Sequence, residues 1–331
     1  MRIVRAPLRI TLGGGGTDLP GYYEKYGGFL ISAAIDKYIY LTGSLRPFDK
    51  KYWLSYSKLE VSEDLSQIKH ELFRKSLEKY SFSTGIEIHA VAEVAGNSGL
   101  GSSGAFLVGT ITLLNSMKKR EMSRQQVAEL ASRIEMVELG RSCGKQDHFI
   151  SAFGGIISLD IDKQGNVEVS DLALSPHVLR TLQSNLLIYH TGFTREADTV
   201  LKTQTQNLKN DHAPVVSRLT KIKEIGLRSR DCLLSGDLDT FGRLLDEHWR
   251  VKREMQTDMS NPRIDEVYDA AQRAGMLGGK VMGAGGGGFF MFYVPERNQI
   301  AFREKMKELG LAELDYRFNL SGCGVIFADQ A

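Results

Sequence analysis

The segment at residues 97–104, NSGLGSSG, constrains this chain more than any other stretch. Residues 85–94 before it alternate apolar and polar side chains, which predicts a half-buried strand, and the mostly apolar residues 105–114 behind it predict a buried helix. Glycines in such a loop allow close backbone approach, and free N–H groups at a helix start favour an anion such as phosphate. The alternative is an ordinary Gly/Ser turn in which Ser102 or Ser103 caps the helix.

The same loop also fits a dinucleotide-binding pattern, G-x-G-x-x-G, through Gly99, Gly101 and Gly104. That fold requires a second strand that ends in an acidic residue about 20 residues further on. Here residues 123–140 place apolar side chains at helical spacing instead. An NAD enzyme is therefore disfavoured.

Length and composition narrow the class of protein. A chain of 331 residues suits two domains, and a net charge of +2 is too small to indicate a nucleic-acid surface. The three cysteines, Cys143, Cys232 and Cys323, form no C-x-x-C pair, so we expect no disulfide framework or structural zinc and a reducing cytoplasm. Residues 94–117 are uncharged, but only about ten are continuously apolar, short of the ~20 that span a bilayer. No membrane partner is expected.

A first glycine loop lies near the start of the chain. Residues 13–16 are four consecutive glycines, which cannot form the interior of a helix or strand. Arg9, Thr17 and Asp18 flank them with a cation, a hydroxyl and a carboxylate. This set suits a polyhydroxyl ligand, and the alternative is a surface turn with solvated charges.

Carboxylates follow in the middle of the chain. Ser123 predicts an N-cap for a helix that ends at Gly140, and Glu135 and Glu138 on its edge either hold a metal or are solvated. The predicted loop at 141–148 contains Asp147, a candidate general base or orienting carboxylate. His148 is the competing candidate.

The second half of the chain contains basic residues that are candidates for binding a substrate anion. We place a domain boundary near residues 176–184 and predict a helical pattern over 196–255, in which His248 lies on the apolar stripe and is interpreted as a satisfied core histidine. Lys252 and Arg253 lie off that stripe and could reach a substrate anion, as could Arg195 in a predicted turn. A third glycine loop at 278–288 precedes a strand, so it is not a dinucleotide fingerprint.

Three segments together resemble a known family. Residues 6–9, 98–105 and 279–288 look like motifs 1, 2 and 3 of the GHMP small-molecule kinases. Within that family, residues 13–20, 144–147 and 321–324 look most like the heptose 7-phosphate kinases. The resemblance implies an α+β fold with a ribosomal-protein-S5-like N-terminal domain (1–182), a ferredoxin-like C-terminal domain (183–331) and the site between them. Motif 2 departs from the family pattern at residues 95–96, where proline is common, and at Gly104.

The resemblance also implies roles for individual residues. Asp147 would act as base and Arg9 would lower the pKa of the attacking hydroxyl, while Ser103 and Glu135 would hold Mg²⁺. ATP would bind at Asn97, Ser98, Gly99, Leu100, Gly101, Ser102 and Ser103. The substrate would contact Gly14, Gly15, Thr17, Asp18, Gly285, Gly286, Arg195 and Arg253.

The expected activity is phosphorylation of the anomeric hydroxyl of D-glycero-D-manno-heptose 7-phosphate to the 1,7-bisphosphate, dependent on ATP and Mg²⁺. Two alternatives stay open: a kinase for an unphosphorylated sugar of the fucose or galactose type, and a sugar and ATP sensor without chemistry. The expected partner is a small-molecule sugar phosphate, with a monomer or homodimer in the cytoplasm.

Overall fold

The computed structural model describes residues 1–96, 98–192, 206, 208, 212–255, 260–283 and 285–329. Two long antiparallel strands, β1 (Arg2–Gly13) and β2 (Gly28–Arg46), form the centre of a large sheet. Their register shifts between Pro7 and Leu8, where proline has no N–H to give to the ladder. The first glycine loop and the short helix α1 (Pro20–Tyr26) connect them, so this loop lies at one end of the sheet.

The remaining strands of the first domain extend this sheet on the side of β2 away from β1. They are β3 (Tyr52–Ser55), β4 (Leu59–Ser62), β5 (Gly85–Ala92), β6 (Ile156–Ile161) and β7 (Val167–Asp171). One half of β2 pairs with β5 and the other half with β6, and β3 runs parallel to β5. Because β2 is long enough to pair with two different strands on one side, the sheet divides there.

Helices of the first domain cover this sheet. They are α2 (Glu71–Leu77), α3 (Ser102–Met117), α4 (Arg124–Arg133) and α5 (Gln146–Phe153). The apolar run predicted to form a buried helix is α3, which contacts β1, β2, α2, α4 and α5. A helix that is apolar around its circumference belongs inside a protein in this way.

A smaller antiparallel sheet forms the second domain, with β8 (Leu186–His190), β9 (Gly278–Val281) and β10 (Phe289–Tyr293) in the order β8-β10-β9. The segment at 312–314 hydrogen-bonds to the free edge of β8. In chain order these four segments lie as 4-1-3-2, a ferredoxin-like arrangement. The helices of this half are α6 (Pro176–Asn185), α7 (Ala213–Ser235), α8 (Leu238–Arg253), α9 (Pro262–Arg273) and α10 (Gln299–Glu308).

The C-terminal strand β11 (Gly324–Ala328) leaves the second domain and pairs with β1, with Arg2 opposite Ala328. The two ends of the described chain therefore meet in one sheet. The predicted division between residues 182 and 183 falls inside α6, which leads directly into β8; the domain limits stay a prediction.

Two local predictions change in the structure. The helix predicted to run from Ser123 to Gly140 ends its α-helical part at Arg133 and continues as one π-helical stretch at Ile134–Glu138. Asp147 was expected in a loop, but it lies in the first turn of α5. Among the described residues, no helix combines the length and apolar character needed to cross a bilayer.

Candidate active site

The three glycine loops meet at one cavity of about 1110 Å³ between the two domains. The third loop packs, backbone against backbone, on the second glycine loop, the segment that precedes α3. A Cβ on Gly283 would lie 2.7 Å from Gly99 Cα, and one on Gly288 would lie 2.3 Å from the Ser98 carbonyl oxygen. Only glycine permits this approach, so the glycine content of the third loop has a packing reason.

The start of α3 faces this cavity without a side-chain cap. Its N-cap is Gly101, with φ +80°, and neither Ser102 nor Ser103 caps it, so the interpretation as a serine-capped turn is wrong. The hydroxyl oxygens of Ser98 and Ser102 are buried and have no hydrogen-bond partner among the described residues. Unpartnered hydroxyls beside an uncapped helix start fit an anion with several acceptor oxygens. Asn97 lies outside the described residues.

An ion pair connects the first loop region to α5. Arg9 Nε and Nη2 each lie 2.6 Å from Asp147 Oδ1, and a third nitrogen of Arg9 donates to the Gly99 carbonyl. Asp147 Oδ2 has no hydrogen bond to a described residue, so it stays available on the cavity side. A Cβ on Gly104 would lie 2.6 Å from Asp147 Cβ. The unusual Gly104 therefore lets α3 approach the carboxylate.

A second carboxyl group, that of Asp18, lines the same cavity. Its Oδ2 accepts from the Gln146 amide at 3.0 Å and its Oδ1 from the Gly16 amide at 3.2 Å. Burial raises the pKa of Asp18, and the Asp147 charge raises it further. A Cβ on Gly144 would lie 2.0 Å from Asp18 Oδ2, so residue 144 must be glycine for this contact.

Glu135 occupies the π-helical stretch, a feature frequent at functional sites. Its Oε2 lies 2.7 Å from His148 Nε2, and it also bonds the Ser103 hydroxyl. Burial opposes its ionisation, but the hydrogen bonds and charges of His148, with Ser103 and Arg141, leave the pKa of Glu135 lowered. His148 is fully buried and does not line the cavity, so it does not compete with Asp147 for a substrate proton.

The predicted metal residues, Ser103 and Glu135, are therefore adjacent and both line the cavity. In the described part of the chain, no group of three or more His, Cys, Asp or Glu side chains converges on a metal position. The pair fits Mg²⁺ held by few protein ligands, because this ion commonly completes its octahedron with phosphate oxygens and water.

The other predicted substrate residues of the first loop divide into those that line the cavity and those that pack against β2. Gly15 lines the cavity together with Asp18. Thr17 is fully buried, and its hydroxyl bonds the carbonyls of Gly14 and Phe29 at 2.8 Å, so it holds the first loop to β2 and faces no ligand. Gly14 packs against the same strand.

Three further predicted contacts are not brought to the cavity. Gly285 and Gly286 are buried behind its wall, and Arg253 pairs with Asp265 at 2.8 Å. Arg195 lies outside the described residues.

The sequence missed two parts of the cavity. One is an apolar end formed by Tyr56, His70 and Phe106, with Ile39, Leu72 and Val94 nearby; the His70 ring centroid lies 4.4 Å from that of Tyr56 and 4.9 Å from that of Phe106. Burial lowers the pKa of His70, which favours a neutral ring. The side chains come from separate elements with no shared spacing, so no sequence signal joins them.

The other part is a basic wall of His248, Lys252 and Lys280, of which the sequence indicated only Lys252 as a candidate for a substrate anion. His248 was interpreted as a satisfied core histidine; it is buried, but it lines the cavity and its Nδ1 has no partner in the part of the chain that the structure describes. Lys280, in an otherwise apolar and glycine-rich strand, was the signal that could have revealed this wall.

Comparison with known proteins defines the class of this chain. Residues 67–155 match the family described as GHMP kinases N terminal domain, and residues 229–311 match GHMP kinases C terminal. The chain belongs to the GHMP kinase family, and the predicted enzyme class, a small-molecule kinase on this two-domain α+β fold, is confirmed.

The chain is also similar to individual proteins of this family. The chain is 29% identical to a D-glycero-alpha-D-manno-heptose 7-phosphate kinase of Campylobacter jejuni, over 97% of this chain and 98% of that protein. It is 26% identical to a bifunctional fucokinase/GDP-fucose pyrophosphorylase of Arabidopsis thaliana, over 97% of this chain and 32% of that protein.

Solved structures show the same fold. A D-glycero-D-manno-heptose 1-phosphate kinase from Bacteroides thetaiotaomicron superposes with a TM-score of 0.82 at 24% identity over the full length of both chains. A galactokinase of Lactococcus lactis, complexed with galactose, superposes with a TM-score of 0.77 at 19% identity, over 98% of this chain and 94% of that one. At these identities the likeness supports the fold and not the substrate.

Proposed function

We propose that this enzyme is an ATP- and Mg²⁺-dependent sugar kinase that phosphorylates the anomeric hydroxyl of D-glycero-D-manno-heptose 7-phosphate. The observation that carries the proposal is the Arg9–Asp147 pair, placed in one cavity with an uncapped helix start and the carboxyl group of Asp18. Similarity to a heptose 7-phosphate kinase along nearly the whole chain supports the choice of sugar.

The nucleotide phosphates fit at the start of α3, where the N–H groups and the hydroxyls of Ser98 and Ser102 have hydrogen bonds to offer. The apolar end with Tyr56, His70 and Phe106 suits the stacking of a purine base. Ser103 and Glu135 would hold Mg²⁺, which when bound neutralises charge on the phosphate oxygens.

The acceptor sugar fits on the side of Asp18 and Asp147. Asp18, fixed by the backbone amides of Gly16 and Gln146, is placed to bond sugar hydroxyls. Arg9 holds Asp147 Oδ1, which leaves Oδ2 to orient the attacking hydroxyl and take its proton as the new O–P bond forms, while the bond from the γ-phosphorus to the bridging oxygen breaks and ADP leaves. Positioning and charge neutralisation supply most of the rate, as is usual in phosphoryl transfer.

A coupled ADP-release assay across heptose 7-phosphate, heptose, fucose and galactose tests the substrate. We expect heptose 7-phosphate to give the highest kcat/KM, with the new phosphate placed on C1 by phosphorus NMR. Asp147→Asn should lower kcat by about 10²- to 10⁴-fold, the usual contribution of a general base. Asp269→Asn, on the exposed face of α9, is the matched control. A folded Asp147→Asn enzyme with full turnover would remove Asp147 from this role.

The second candidate is a kinase for an unphosphorylated sugar of the fucose type, favoured by the similarity to the plant fucokinase. The same assay separates the two, because this candidate requires fucose to exceed heptose 7-phosphate in kcat/KM. A sensor without chemistry would release no ADP with any of the four sugars.

A further inference from the structure

The basic wall comes from the second domain, lines the same cavity as Asp147 and has no part in the chemistry proposed above. His248 and Lys252 are one turn apart on α8, so both side chains face the cavity, and Lys280 reaches it from β9. The three residues are 2%, 9% and 3% exposed. Such burial is rare for lysine unless the charge has a partner.

No carboxylate in the described part of the chain pairs with this wall. The Lys252 ammonium donates to the Gly283 carbonyl at 2.6 Å and lies 3.5 Å from the Val281 carbonyl, and both are uncharged acceptors. Among the described residues, the side chain of Lys280 has no hydrogen bond or ion pair. His248 Nδ1 is a buried atom that also lacks a partner in the described part of the chain. The two lysines of the wall therefore have no anionic partner among the described residues.

Neighbouring positive charges increase the free-energy cost of keeping the buried lysines protonated. Burial, together with the nearby Arg9 charge, lowers the pKa of Lys252 to about 8. Burial, with the charges of Lys252 and Arg9, also lowers the pKa of Lys280. Like charges held out of water cost free energy, which a bound anion would offset.

We propose that Lys280, Lys252 and His248 form a binding site for a phosphoryl group on the second-domain wall of the cavity. Two sources share this chemistry: the phosphate that a sugar phosphate acceptor already carries, and the phosphoryl group in transfer. The identity of the source rests on the kinase function proposed above, but binding of the anion does not. The wall replaces Arg253, which pairs with Asp265, as the basic site for a substrate phosphate.

A binding experiment tests the wall without any turnover. Calorimetric titration of the full chain with inorganic phosphate at pH 7 should show affinity that falls about 10- to 100-fold in Lys280→Met and in Lys252→Met, the size expected for one charge-assisted hydrogen bond. Lys305→Met, on the exposed surface of α10, removes the same charge and should leave the affinity unchanged. Unchanged affinity in both wall variants would overturn the proposal.

Kinetics with heptose 7-phosphate and unphosphorylated heptose identify the source. If the wall holds the acceptor's phosphate, Lys280→Met raises KM for heptose 7-phosphate about 10-fold or more and leaves kcat/KM for heptose unchanged. If it holds the phosphoryl group in transfer, kcat falls for both acceptors by the same factor. If Lys280→Met and Lys252→Met both keep the kcat and KM of the wild-type enzyme with both acceptors, the result contradicts the proposed phosphoryl site. If the wild-type enzyme phosphorylates neither acceptor, the proposed function fails, and the phosphate titration still decides the wall.

Discussion

Replacing Lys252 by methionine should stabilise the protein while it damages function. Lowering the pKa of this lysine from 10.5 to about 8 means that folding disfavours its ammonium by about 3 kcal/mol, at 1.36 kcal/mol per pKa unit. Methionine keeps the apolar stem but leaves the Gly283 and Val281 carbonyls without this donor, which costs about 1 kcal/mol. The net gain at pH 7 is about 2 kcal/mol.

The dependence on pH gives this prediction its distinctive sign. Because the folded-state pKa lies below the unfolded one, the cost is complete below about pH 8 and disappears as pH rises toward 10.5. Arg9, Lys280 and His248 face the same group, and none of them is altered in the variant. The advantage of Lys252→Met over wild type should therefore shrink by about 2 kcal/mol between pH 7 and pH 10.

Urea unfolding followed by fluorescence of Trp53 and Trp249 measures this difference, since these are the two tryptophans of the chain. One lies in the large sheet and the other is fully buried in α8, so both domains are monitored. Lys305→Met should change the free energy of unfolding by less than about 0.5 kcal/mol at either pH. If Lys252→Met destabilises the protein at pH 7, or if its effect is the same at both pH values, the buried-charge reasoning is refuted.

Three further outcomes follow from the same cavity. In a pH profile, kcat/KM for heptose 7-phosphate should decline above about pH 8 as Lys252 loses its proton, and Lys252→Met should lack that decline. Gly144→Ala places a Cβ 2.0 Å from Asp18 Oδ2, so steady-state kinetics should show KM for the sugar raised about 10-fold and KM for ATP unchanged. Thr17→Val leaves buried backbone groups unpaired and should lower the free energy of unfolding by about 1–3 kcal/mol, measured in urea, with both KM values unchanged.

Much of the local structure was predictable because it depends on near neighbours in the chain. The alternation before the second glycine loop forms β5, and the apolar run after it forms α3. Ser123 caps α4 as expected, in a capping box with Gln126 that involves only residues three positions apart. The motifs at residues 6–9, 98–105 and 279–288 likewise indicated the family from residues alone, and the last two are loops that need glycine at fixed positions.

Other predictions failed where a contact from a distant segment decided the outcome. Thr17 has a hydroxyl that could bind a sugar. The pairing of β1 with β2 instead places it beneath the loop, where the hydroxyl donates to the Phe29 carbonyl. His248 lies at a core position by helical period, yet the second domain's packing leaves it at the cavity wall. A periodic pattern shows that a face is covered and does not show what covers it.

The sequence by itself determined which segments bend, which are helical and which glycines carry the loops, because backbone sterics and local hydrogen bonds set these properties. Only the tertiary structure decided that Arg9 meets Asp147 across 138 positions, that β11 closes on β1, and that the basic wall lines the same cavity as Asp147. These contacts depend on strand register and on the packing of two domains. Their free energy comes from surfaces that become neighbours only when the whole chain folds.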